Sequence, residues 1–275
     1  MSGQRQILFF LLLFFGVRVV SAQGFSTDAC MKGNFLEACF NEDFVLGAKS
    51  PPPMGYHICG VDLRLGIVAD PDKDGWLTGT PKFIGDYVVP GSPLEGWALK
   101  VDTNYTFNYP GYKLYGGRYV GRVSTGSKQS IVYQADFKGL EIIQTAIIDV
   151  DKLYILIDVK LKNTGTTKLK DIFYSRFVDP DNEQCLTADF ATKMKIDNQL
   201  PNLRQHVTVS SVGKTYNSYC ALHTRDCRAR VVIDSTGLYG VTFYPDSLYN
   251  ALPGSSRYLV KEGDTITGDK GMALI

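Results

Sequence analysis

Residues 152–163 read KLYILIDVKLKN. Leu153, Ile155, Ile157, Val159 and Leu161 are apolar, while Lys152, Tyr154, Leu156, Asp158, Lys160 and Lys162 between them are mostly polar. Successive side chains of a strand point to opposite faces, so this period of two separates a buried face from a wet one. A helix would smear the same apolar set around its circumference. The stretch therefore predicts a β-strand. Asn163-Thr164-Gly165 follows as a turn, because Asn and Gly accept left-handed backbone angles. Residues 169–178 resume as a second segment rich in aromatic and branched residues, forming a hairpin with the first or crossing to another sheet.

The pattern spreads outward from there. Ile131, Tyr133, Ala135 and Phe137 alternate with Val132, Gln134 and Asp136, and 140–150 is β-rich. Shorter candidates lie at 118–123, 207–212, 230–234, 238–244 and 258–261, bounded by Gly, Pro, Asn or Asp. Many short strands between turn residues mean an all-β, antiparallel β-sandwich or supersandwich. Long helices between strands would have meant α/β, and none is visible. One helix is expected at 35–46, where Leu36, Phe40 and Phe44 recur every four residues. The stiff triplet Pro51-Pro52-Pro53 divides a Cys-containing N-terminal arm (23–53) from the main β domain (54–275).

The N-terminus reads as an export signal. Arg5 precedes the apolar run ILFFLLLFFGV (7–17), and Val20 and Ala22 put small side chains before a cut after residue 22. The run falls short of the ~20 residues that span a membrane, so the processed chain is expected to be secreted or held at a cell surface. Arg5 and Arg18 leave with the leader, taking the net charge from +1 to slightly negative. A nucleic-acid partner or an anionic membrane would need a basic surplus. The C-terminal run Gly271-Met272-Ala273-Leu274-Ile275 is apolar to its end. It reads as a strand at a sheet edge or as the cut end of a longer protein.

The six cysteines, Cys30, Cys39, Cys59, Cys185, Cys220 and Cys227, are an even set in an exported chain, and so predict disulfides. Proximity suggests Cys30 with Cys39 and Cys220 with Cys227, leaving Cys59 with Cys185. The His57, Cys59, His223 and Cys227 set lacks metal-site spacing. Asn104-Tyr105-Thr106 is a glycosylation sequon.

Three acidic stretches could carry chemistry. Asp70-Pro-Asp72-Lys-Asp74-Gly75 places alternate carboxylates before a Gly turn, as calcium loops do, with Thr78 as a further ligand. Pro81 falls where such loops usually carry a bidentate Glu, and a plain acidic turn would read the same. Asp179-Pro-Asp181-Asn182-Glu183 follows a strand that contains Arg176. It reads as a strand-end binding loop or as a solvated turn with an Arg176–Asp179 surface pair. In residues 85–97, Glu95 lies near Trp97, where burial could raise its pKa and make it a general acid. Tyr87 and Trp97 could stack on sugars, or Trp97 could plug the core while Glu95 bonds backbone amides. No nucleophile elbow and no phosphate-binding Gly loop occurs.

PGSPLEGW (90–97), LEIIQTAIIDVDKLYILIDVKLKNTG (140–165) and SRFVDPDNE (175–183) together resemble the supersandwich domains of the galactose-mutarotase-like class. The resemblance covers about the middle third of the chain and implies a large secreted β fold found in carbohydrate-active proteins. The histidines of mutarotase chemistry have no matching positions. Three functions compete. A non-catalytic surface or matrix domain would recognise a glycan or an extracellular protein through Tyr87, Trp97, Arg176 and Asn182. A carbohydrate-active enzyme would pair Glu95 with Asp179 or Asp181. A filament subunit would self-assemble by lending its C-terminal strand to a neighbour's sheet edge. The non-catalytic domain accounts for the most features.

Overall fold

A computed structural model describes residues 28–59, 64–76, 85–89, 95–109, 116–199, 206–234 and 244–275. The expected export leader, Thr78, Pro81 and the strand expected at 238–244, apart from Tyr244, lie outside the described residues. The chain is all-β and antiparallel, as expected. Among the described residues four separate sheets are arranged as a propeller-like ring of four blades.

The first sheet joins β1 (Ala29–Lys32), β2 (Leu36–Phe40) and β3 (Ile67–Ala69). The second is a meander of β6 (Arg118–Ser124), β7 (Lys128–Phe137), β8 (Leu140–Asp149) and β9 (Ile155–Asn163). The third runs in the order β14 (Val231–Asp234), β16 (Gly271–Leu274), β10 (Phe173–Val178), β4 (Glu95–Val101), β5 (Asn104–Asn108). The fourth runs β13 (Tyr219–Thr224), β12 (Val207–Val212), β11 (Thr192–Asn198), β15 (Thr265–Gly268). Two short helices, α1 (Gln184–Thr187) and α2 (Pro245–Tyr249), fill connections. Among the described residues no helix is long and apolar enough to cross a membrane.

The β7–β8 hairpin shows how sequence fixes register. Lys138 and Gly139 form a two-residue loop with φ of 51° and 79°, the left-handed pair that matches strand twist. Phe137 then opposes Leu140, and the pairing runs on to Lys128 opposite Asp149. On β8, Leu140, Ile142, Gln144, Ala146 and Ile148 are buried while their neighbours are half-buried. The segment after β9 crosses to another sheet instead of closing a hairpin. The strand expected at 258–261 is reduced to an isolated bridge between Ser255 and Tyr258.

Residues 35–46 do not form a helix. Leu36 to Phe40 make β2, wholly buried, and Phe40 bridges to Leu46 around a turn. The segment read as an arm is built into the main core. Phe40 and Phe44 stack at 4.9 Å, Phe44 and Tyr133 at 5.6 Å, and Trp97 meets Tyr133 edge-on at 6.2 Å. The C-terminal strand lies in the interior of the third sheet, hydrogen-bonded to β14 on one side and β10 on the other. It is not free to complete another chain's edge.

Two disulfides form, Cys30–Cys39 directly across β1 and β2, and Cys59–Cys185. Gly85 packs on the second: a Cβ there would collide with both Cys59 and Cys185 Sγ. The expected Cys220–Cys227 bond is absent, and both thiols are free. Extended backbone carries the chain roughly 13 Å beyond Cys220 before it turns at Thr224, and the following turn leads into β14. Burial pushes the Cys220 thiol up to about 12, whereas Cys227 is exposed. Thiol titration of the denatured, unreduced protein should therefore find the equivalent of Cys220 and Cys227 only. A peptide map linking those two cysteines would contradict the structure.

Candidate functional site

β4 and β10 pair antiparallel with Trp97 opposite Arg176 and Glu95 opposite Val178. Opposed residues share a face, so Arg176 and Glu95 meet diagonally on one side of the sheet. Arg176 Nε lies 2.6 Å from Glu95 Oε1, and its terminal nitrogen donates to Oε2 at 3.0 Å. The Leu46 amide also donates to Oε2, at 2.7 Å. The guanidinium donates further to the Phe44 carbonyl at 3.3 Å and Gln144 Oε1 at 3.4 Å. It lies 5.4 Å from the Phe44 ring centre and 5.8 Å from that of Phe40. Burial opposes the cation, but Glu95 and Tyr174 beside it hold the Arg176 pKa above its ordinary value.

This geometry corrects several expectations. Arg176 pairs with Glu95 inside the protein, not with Asp179 at the surface. The four residues expected to bind ligands are interior: Tyr87, Trp97, Arg176 and Asn182 are all buried. The Trp97 indole donates to the Asp43 carbonyl at 3.2 Å. The Asn182 amide donates to the carbonyls of Ser211 at 3.1 Å and Ser218 at 2.9 Å. Glu95, expected as a general acid partnered by Asp179 or Asp181, is engaged instead by Arg176 and the Leu46 amide.

The structure instead gathers Asp179 and Asp181 with Asp269, one oxygen of each lying within 4.8 Å of the others. Val178 pairs with Met272, so the chain leaving β10 passes Asp269 and Lys270, which precede β16. The Asp181 amide then donates to the Tyr87 carbonyl at 2.8 Å. Asp179 and Asp181 are buried, while Asp269 is exposed. Burial, then the charge of Asp269, pushes Asp179 up to about 7 against the pull of Lys270. Burial, then Asp179, Asp269 and Asp86, pushes Asp181 up to about 9. Burial raises Asp86 to about 6 although the amides of Val88, Gly66, Val89 and Ile67 donate to it. Such a group can keep protons at neutral pH, or its oxygens can hold a hard cation such as calcium. Three oxygens this close sit nearer together than the ~5–5.5 Å of a retaining glycosidase pair.

The predicted calcium loop does not gather its carboxylates. Asp70 turns inward and accepts the amides of Asp74 at 3.3 Å, Gly75 at 2.9 Å and Trp76 at 3.1 Å. Asp72 faces solvent. The acidic stretch therefore closes its own turn. Glu183 has a similar structural task that the sequence did not disclose. Its carboxylate accepts the amides of Thr215, Tyr216 and Ser218 and holds the turn between β12 and β13. A Cβ at Gly213 would strike it. Asp269 was likewise missed: only the pairing of β10 with β16 brings it to Asp179 and Asp181. Asn104 is half-buried at the start of β5.

The chain matches no protein-family model and no curated protein.

Removing one partner of the Arg176–Glu95 pair leaves a buried charge, so Arg176→Met should lower unfolding free energy by about 3–5 kcal/mol in a denaturant melt. The double variant Arg176→Met, Glu95→Leu should recover much of that loss. At the acid trio the folded state binds more protons than the unfolded chain once pH exceeds the ordinary Asp range, so stability falls as pH rises through about 7 and about 9. Asp181→Asn should flatten that slope between pH 5 and 9 and stabilise the protein at pH 8 by roughly 1–3 kcal/mol. Calcium that leaves the wild-type melting temperature unchanged at pH 8 would remove the cation role.

Proposed function

We propose that this chain is an exported, non-catalytic extracellular β domain that works by binding another extracellular protein or by structural assembly. One observation carries this. The exposed apolar residues Leu153, Tyr154, Leu156 and Leu161 are grouped on β9 and the turn before it, at the rim of a sheet, with exposures of 39, 56, 54 and 37 %. Ile172 adds a further exposed side chain on the segment that follows β9. Singly exposed apolar side chains are ordinary, but several along one sheet edge fit a partner surface. The two disulfides fit an oxidising destination, and the leader fits the route there.

Protein recognition is favoured over glycan recognition because the aromatic rings available for stacking on sugars at Tyr87 and Trp97 lie in the core. The carbohydrate-active alternative, and with it the supersandwich likeness, would have to work through the Asp179–Asp181–Asp269 group. The filament alternative would need an edge other than the C-terminal strand.

In a secreting cell the medium should contain protein that begins at Gln23 and loses mass on removal of an N-glycan from Asn104. Retention of that protein on cells or matrix should drop when Tyr154 and Leu156 are changed to Ser, at unchanged secretion. A panel of glycosides tests the alternative: turnover abolished by Asp181→Asn would overturn the non-catalytic function.

A further inference from the structure

The two edges of the β6–β9 sheet differ. β6 carries a register shift between Tyr119 and Gly121, and its Arg122 donates to the Cys30 carbonyl at 2.6 Å, which ties that side to the first sheet. β9 is nine residues long, regular, and bonded only to β8. It is the longest edge strand among the described residues. Its outward backbone groups meet no described partner. The core face also runs off this edge. Ile142, Gln144, Ala146 and Ile148 on β8 are fully buried, but opposite them Leu161 is exposed and Val159, Ile157 and Ile155 are only half-buried.

We propose that two copies of this chain pair through their β9 edges, antiparallel and centred on Val159, to make one continuous eight-stranded sheet. The proposal rests on β9 as the binding rim and names its partner. Charge selects both the partner and the alignment. Asp158 and Lys160 lie on the outward face, 3.3 Å apart within one chain, their side chains 47 and 70 % exposed. With Val159 opposite its own copy, Asp158 of each chain faces Lys160 of the other, twice by symmetry. On the inner face Ile157 then meets Leu161, extending the apolar row across the junction. Shifting the centre by one residue toward the N-terminus sets Asp158 against Asp158, and by one toward the C-terminus sets Lys160 against Lys160. Alignments centred between two residues put an inner-face side chain opposite an outer-face one. Like charges directly opposite disfavour the wrong alignments, and Lys160 and Lys162 discourage pairing with unrelated edges.

Sedimentation of the processed chain across the micromolar range tests this. Wild type should show a concentration-dependent monomer–dimer equilibrium. Asp158→Lys and Lys160→Asp should each weaken it by about tenfold or more. The swap carrying both changes should restore it, since unlike charges again face each other. All the changes are on the surface, and unaltered melting would show that each variant is folded. A wild-type monomer at every concentration overturns self-pairing, as does a dimer indifferent to the single changes or a swap that fails to restore it. If the wild type is monomeric while Tyr154 and Leu156 are still needed for retention, only self-pairing fails. If those residues have no effect either, the binding function of the rim fails with it.

Discussion

The Arg176–Glu95 pair is the contact on which the arrangement of the sheets turns. Glu95 belongs to β4 and Arg176 to β10, while their further hydrogen bonds reach Leu46 and Phe44 in the turn after β2 and Gln144 on β8. Three sheets thus share one desolvated charge pair. Desolvation takes back much of what such a pair gains, and an apolar replacement of similar shape often does as well. Its stronger effect is on geometry. Any relative slip of β4 and β10 would leave a carboxylate or a guanidinium buried alone, so the pairing of these strands has one acceptable register. The aromatic layer of Phe40, Phe44, Tyr133 and Trp97 packs around that fixed point.

Strands were legible wherever alternation was strict. Segments 131–137 and 152–163 became β7 and β9 because a period of two has no helical counterpart over that length, and the β-rich segment 140–150 became β8. The helix expected at 35–46 failed for a related reason. Residues four apart are also an even number apart, so Leu36 and Phe40 suit a strand as well as a helix; the chain takes the strand and turns at Phe44. Alternation also says which residues share a face without saying how well the face is covered. The apolar row of β9 was read as buried, and at a sheet edge it is only partly so.

The polar residues were harder because their roles depend on contacts distant in sequence. Arg176 and Glu95 are 81 residues apart, and neither alone tells surface from core. Asp179 and Asp181 stood out as an acidic pair, but their third member comes from the turn before β16, which enters the middle of the third sheet. Asp70 and Glu183 look like ligands in a string of acids. In space they serve as acceptors for turn amides, a use that composition cannot separate from metal binding. Proximity in sequence predicted the Cys30–Cys39 bond and misled for Cys220 and Cys227, where an extended strand separates close neighbours.

The Cys59–Cys185 link spans 126 residues and also secures the packing against Gly85. That bond closes a loop of nearly half the polypeptide, whereas Cys30–Cys39 closes one of only 9 residues. A longer closed loop removes more freedom from the unfolded chain, so the distant crosslink restricts the denatured ensemble more than the local one does.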